Sequence, residues 1–363
     1  MVLGFFVQGM TYPQSMYYAT NPYGFFYFQH SLALPFAFWR EADFEWLGYL
    51  YSLSFEKKVT PKGMDHEAAW NEYLDRVEGY LRQGVPVQTY LGWMPQEKEE
   101  REGKIVAPSG MRAFWWEGLT KKFRPDTHSF VVVGMDRSAD KLWLNAPVAG
   151  WRGMEKYLQR TLSNFKRSME RLRPELRFTT MVYLRTGNPQ KDEKTIQELV
   201  RKRIVEKLRG DAAAYTKEPK NRYLYGIGAL EGLRDDLRQD MFFRILQGRM
   251  KKQGIAPLEV LVWLKLSLFQ HTFMTSLAAE YLESQRMMKE WEWLSELNIL
   301  YHRLYISSVK LVSIVRSNND RKIWAEESDP VLEEMRSTIE EIIGHMQKYD
   351  NKGEAYLKLN YLP

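Results

Sequence analysis

The stretch TGNPQKDEKT at residues 186–195 separates two halves of the chain that differ in periodicity. Gly, Asn and Pro followed by a run of charges make it a linker. Before it come short runs rich in Val, Thr, Tyr and Trp: PVQTYLGW (86–93), SFVVVGMD (129–136), KLWLNAP (141–147) and FTTMVYLRT (178–186). Turn residues bound each run, the pattern of strands. After the linker, apolar residues recur at helical spacing through 195–209, 221–251, 256–285, 288–316 and 329–348. No strand of note stands out there, and no repeat at fixed period. The sequence therefore predicts an α+β domain over residues 1–187, a linker at 188–194 and an all-helical bundle over 195–363.

Within the first half, the polar loop DRSAD (136–140) joins two strands, so 129–145 reads as a hairpin. HEAAWNEYLDRVEGYLRQG (66–84) places Trp70, Leu74, Val77 and Leu81 three or four apart, and Gly84 ends the helix. Residues 153–173 show the same periodicity and predict a second helix. Residues 92–118 form a long polar and then aromatic insertion, a length at which loops often carry function.

Composition removes several function classes. The formal net charge of +6 is spread over 363 residues, without a basic tail or a nucleic-acid motif, so nucleic acid is not an expected partner. No apolar run is long enough to span a bilayer. The start, MVLGFFVQGMTYPQ, lacks the basic n-region and cleavage site of a signal peptide, so the expected location is the cytoplasm. There is no cysteine, which excludes disulfides, thiolate metal sites and a thiol nucleophile within the chain. The six histidines, among them His30 and His66, show no metal-ligand spacing, so no protein-built metal site is expected.

The stretch with a chemical signature is DTHSFVVVGMDRSADKLWLNAP (126–147). It sets His128 at the head of one strand and Asn145 at the end of the next. A polar residue beside an imidazole fixes its tautomer and leaves the other ring nitrogen to accept a proton. On the residues alone, a hydrogen-bonded structural histidine and a turn-forming Asn before Ala-Pro are the more ordinary explanation of the pair.

The order of elements adds to this. A GVPV strand (84–87), then THSFVVVGMD, then KLWLNAP resembles papain-like proteins of the double-glycine leader peptidase type. More closely it resembles the N-terminal domain of the butirosin biosynthesis protein H (BtrH) family. The segments MVLGFFVQGMTYP and YGFFYF look like the Gly-rich, aromatic part of that domain. NRYLYGIGALEGLRDDL (221–237) and FMTSLAAEYLESQ (273–285) look like its helical partner domain. The resemblance implies a papain-like N-terminal domain, with His128 as the catalytic histidine and Asn145 as its orienting residue. It also implies amide-forming acyl transfer in secondary metabolism. An acyl group would pass from the phosphopantetheine thioester of an acyl carrier protein, through an enzyme cysteine, to a small amine. No cofactor resident in the chain is implied, and a homo-oligomer is left open.

The departure from that family is the missing cysteine and the helix that carries it. Three explanations follow. The start is an internal Met and a helix with its cysteine precedes it. Or the protein is cysteine-free and acts as a non-catalytic binding or scaffold protein on the same fold. Or Ser15 replaces the nucleophile, with Gln8 seven residues before it as the oxyanion donor. Trp115 and Trp116 would cover such a site or anchor an ordered surface loop, and Tyr27 in YATNPYGFFYFQHS (18–31) would line an acyl pocket or pack in a core beside the Asn21-Pro22 turn. His30 reads as a hydrogen-bonded structural histidine. Arg160, Lys166, Arg167, Arg171 and Arg173 would give one helix a basic face for an acidic carrier, or a merely solvated one.

Overall fold

The computed structural model describes residues 26–28, 30, 32, 41–61, 63–91, 128–145, 158–170, 172, 174–211, 223–253, 257–317 and 321–359. These form two compact units. Described residues 52–188 make one; described residues 26–51 and 189–359 make the other.

The first unit is an antiparallel six-stranded sheet with two helices. In chain order its elements are β2 (Leu53–Lys58), α2 (His66–Arg82), β3 (Val87–Leu91), β4 (His128–Asp136), β5 (Lys141–Asn145), β6 (Leu158–Arg160), α3 (Leu162–Glu170) and β7 (Thr180–Arg185). The spatial order is β2-β7-β3-β4-β5-β6. α2 begins where the Asp65 carboxylate accepts the N–H groups of Glu67 (2.9 Å) and Ala68 (3.1 Å), which satisfies donors the first turn leaves open. It ends at Gly84, whose φ of +71° suits a residue without a side chain. Trp70, Tyr73, Leu74 and Val77 of α2 enter a core with Val87, Leu91, Val132, Leu142, Leu144 and Phe165. The 66–84 helix and the 129–145 hairpin thus form as their periodicities predict.

The stretch 153–173 does not become one helix. Residues 158–160 instead pair with β5, and α3 starts at Leu162. The cause is polar. Leu162 donates its N–H to the Asp140 carboxylate (3.1 Å), and the Thr161 hydroxyl accepts the Asn164 N–H (3.2 Å), which fixes the first turn there.

The second unit is mainly helical. Its described elements are β1 (Phe26–Phe28), α1 (Glu41–Leu50), α4 (Glu193–Arg209), β8 (Tyr223–Tyr225), α5 (Gly226–Asp236), α6 (Gln239–Gln253), α7 (Pro257–Ser284), α8 (Met288–Ser317) and α9 (Arg321–Leu359). α7 and α8 run antiparallel: Phe269 lies against Tyr305, and Asn298 donates to the Thr272 carbonyl at 2.8 Å. α8 and α9 do likewise, through Arg303–Glu341, Lys310–Glu334 and the stacked Trp293 and His345. The expectation of no strand in this half is corrected by β8, which pairs antiparallel with β1. A three-residue strand is too short for a periodicity to declare it. The predicted single helix over 221–251 is likewise divided, into β8, α5 and α6.

The described residues of 26–51, grouped with the N-terminal domain by sequence texture, belong to the helical unit. β1 pairs with β8, Asp43 of α1 bonds Arg203 and Lys207 of α4, and the Tyr51 hydroxyl lies 2.9 Å from that of Tyr281. The two compact units divide between Asn188 and Pro189. No helix among the described residues is long and apolar enough to cross a membrane.

Candidate functional site

His128 and Asn145 lie on neighbouring strands of the first unit, at the same end of the sheet. The hairpin between them is fixed by its turn. The Asp136 carboxylate accepts the Ser138 and Ala139 N–H groups (3.0 Å each) and the Ser138 hydroxyl (2.7 Å), and these bonds hold its carboxyl below the usual range. Along the ladder, Asp136 faces Lys141 and Met135 faces Leu142. A bulge then follows between Val132 and Gly134. A Cβ at Gly134 would lie 3.1 Å from Cε3 of Trp143, so the bulge packs the indole against bare backbone. Asn145 ends β5 opposite Val131; His128 heads β4 opposite Leu91 of β3. The two are therefore offset by three residues of strand.

Other residues singled out by sequence divide into two groups. Gln8, Ser15, Trp115 and Trp116 lie outside the described residues. Tyr27 belongs to the second unit, where its ring is wholly buried and its hydroxyl is bonded, the core role that was its alternative reading. The basic residues of 160–177 do not share one helix face. Arg160 ends β6, and Lys166 of α3 is ion-paired to Glu67 and stands over the Trp70 ring. Arg171 and Arg173 lie outside the described residues.

The second unit holds a constellation that sequence reasoning missed. Asp236, the last residue of α5, has a carboxylate only 3% exposed. One oxygen, Oδ2, accepts the Tyr27 hydroxyl at 2.5 Å and the His30 backbone N–H at 2.6 Å. The other, Oδ1, lies 2.8 Å from Nδ1 of His30. The Tyr27 hydroxyl also accepts the Leu32 N–H at 3.1 Å, so residues 27, 30 and 32 are tied to one carboxylate, directly or through that hydroxyl. His30 and Leu32 both have positive φ, +59° and +48°, unusual for residues with side chains. The His30 ring itself is 55% exposed. The expectation that His30 is hydrogen-bonded holds; its partner lies more than two hundred positions away in the chain, which no local pattern indicates. The available signal was the acidic pair Asp235-Asp236 closing a helix, at the end where the helix dipole opposes negative charge.

Among the described residues no cluster of three or more His, Asp or Glu side chains is placed to hold a metal ion. No protein-family model matches the chain, and no curated protein matches it.

Proposed function

We propose that the chain serves amide-forming acyl transfer in secondary metabolism, with the papain-like and BtrH-type character that its strand motifs resemble. The observation that supports this reading is the placement of His128 and Asn145 on adjacent antiparallel strands at one end of the sheet. In this reading His128 is the general base and Asn145 its orienting residue. The donor is a phosphopantetheine thioester on an acyl carrier protein, and the acceptor is a small amine. The reading sets a structural condition. Three residues of strand span roughly 10 Å, and positions of one face recur at even separations, so the head of β4 must twist or bulge for the two side chains to meet.

The chemistry also needs a thiol that these 363 residues do not contain. Protein purified from its own cells tests both points. Its intact mass is measured with and without a thiol alkylating reagent, and its transfer of an acyl group from a carrier-bound thioester to amines is assayed beside a His128→Ala variant. One reactive thiol, and loss of transfer in the variant, are the expected results. Transfer untouched by His128→Ala removes the role given to that residue.

The absence of cysteine favours a second reading, a non-catalytic binding or scaffold protein on the same fold. It expects no covalent acyl-enzyme with any thioester, and trapping one would sink it.

A further inference from the structure

We propose that His30, held by Asp236 and Tyr27, is a general base that takes a proton from an amine or hydroxyl acceptor as it attacks an activated acyl group. This site is independent of the His128–Asn145 reading.

The tautomer follows from the bonding. An ionised carboxylate only accepts, so at the 2.8 Å contact with Asp236 Oδ1 the His30 Nδ1 carries the hydrogen. Nε2 of the neutral ring then carries the lone pair. The ring is 55% exposed while the carboxylate behind it is 3% exposed. A buried acid that fixes the orientation of an accessible imidazole is the arrangement that makes a histidine an effective base.

A purely structural role leaves three features without a reason. The Tyr27 hydroxyl and the His30 N–H already satisfy Oδ2, and the imidazole adds a part-buried bond to Oδ1 while its own side chain stays 55% exposed. The carboxylate stands at the C-terminal end of α5, where the helix dipole disfavours an anion. The backbone adopts left-handed φ at both His30 and Leu32, conformations that cost free energy and cluster at functional sites. Together they aim one ring outward at the expense of local stability.

The chemical class follows from what such a base can do in a chain without a thiol. The acceptor itself is what it deprotonates. As the acceptor nitrogen or oxygen bonds to the acyl carbon, its proton passes to Nε2 and the carbonyl π pair moves onto oxygen. Collapse of the tetrahedral adduct breaks the bond to the leaving thiolate or phenolate, and the imidazolium returns the proton to that group or to water. Asp236 and Tyr27 touch none of the reacting atoms and are positioning residues.

The test uses the full chain and p-nitrophenyl acetate, with water or a small primary amine as acceptor. His30→Gln is expected to lower the rate above buffer at least tenfold, with a near-UV spectrum like that of the parent. Asp236→Asn is expected to lower kcat with the KM for p-nitrophenyl acetate unchanged, because a carboxylate that only orients the ring touches no substrate atom. A solvent deuterium isotope effect on the parent rate is expected, since a proton moves in the step. Its absence, or a rate unchanged by His30→Gln, overturns the proposal. A second measurement needs no variant. Diethyl pyrocarbonate should modify His30 before the other five histidines, read by peptide mass, with activity falling in step. If His30 reacts no faster than His66, the lone pair is not presented and the proposal fails. This site is read with p-nitrophenyl acetate and His30→Gln, and the His128 reading with a carrier-bound thioester and a thiol reagent, so failure at one site is distinguishable from failure at the other.

Discussion

The ammonium of Lys207 lies 2.9 Å from the Asp43 carboxylate, and both side chains are buried. Arg203, one helical turn earlier on α4, reaches the same oxygen at 3.3 Å and stands over the Trp46 ring. Asp43 thus faces two buried cations, of which Arg203 also pairs with Glu206 at 3.4 Å. Removing one partner of a buried pair leaves the other charge uncompensated, which typically costs about 3–5 kcal/mol. Asp43→Ala should cost that much in urea unfolding of the full chain. Glu198, an exposed carboxylate on α4, serves as the comparison, and Glu198→Ala should cost far less. Equal costs would mean that the buried charge contributes no more than an exposed one.

Gly226 opens α5 against the turn that ends α4. A Cβ there would lie 2.4 Å from the Leu208 carbonyl oxygen and 2.6 Å from both the Gly210 nitrogen and the Lys207 carbonyl oxygen. All three are backbone atoms and cannot swing away, and φ is +58°. Gly226→Ala should therefore destabilise by more than about 2 kcal/mol. Gly228, two residues on in the same helix, has nothing within 4 Å of its would-be Cβ. Gly228→Ala should stabilise by about 0.4–1 kcal/mol, through the smaller entropy of the unfolded chain. Opposite signs at two nearby glycines, read from urea midpoints, are the expected outcome.

Around Asp236, the buried hydroxyl should matter more to stability than the exposed ring. Tyr27→Phe removes a donor to the carboxylate and the acceptor of the Leu32 N–H at once. A bond to a charged group is worth about 1.5–3 kcal/mol, so the loss should fall in that range. His30→Ala leaves the backbone N–H and the Tyr27 hydroxyl on Oδ2, and should cost less. Thermal melts of the two variants give the order. The reverse order would place the imidazole among the structural bonds and weaken its assignment as a base.

Where sequence legibility failed, the determinants were distant partners. The 66–84 helix and the 129–145 hairpin are written in contiguous periodicity: Trp70, Leu74 and Val77 recur on one face, and a single Asp-capped loop joins two Val- and Leu-rich strands. α3 was blurred because Asp140, over twenty residues upstream, supplies the acceptor that starts it. β1 and β8 escaped because each is three residues long and is a strand only by virtue of the other. The same holds for the candidate site residues. His128 and Asn145 were visible because one hairpin carries both. His30 and Asp236 were not, since folding of the second unit is what brings them together.

His271 of α7 provides a pH signature for the second unit. The side chain is fully buried, with its ring 5.9 Å from that of Tyr301 on α8. Burial pushes its pKa down from the ordinary 6.5 to about 3, because the charged ring would lose its hydration. The unfolded chain takes up this proton near pH 6.5, the folded protein only near pH 3. Between those limits the unfolded state binds more protons, so stability falls as pH falls, by at most about 1.4 kcal/mol per pH unit. Above pH 6.5 both states hold the ring neutral and the contribution is fully present. The depressed carboxyls of Asp65, Asp136 and Asp192 act in the same direction, but only below the ordinary carboxylate range. The difference in urea midpoint between the parent and a His271 variant, followed from pH 7 to pH 5, therefore isolates this histidine from the other five. The parent should lose stability steadily across that interval. His271→Gln, which carries no titrating ring, should start lower and show a shallower slope. Parallel slopes would mean that the ring gains its proton in the folded state as readily as in the unfolded chain, and that α7 admits water beside Tyr301.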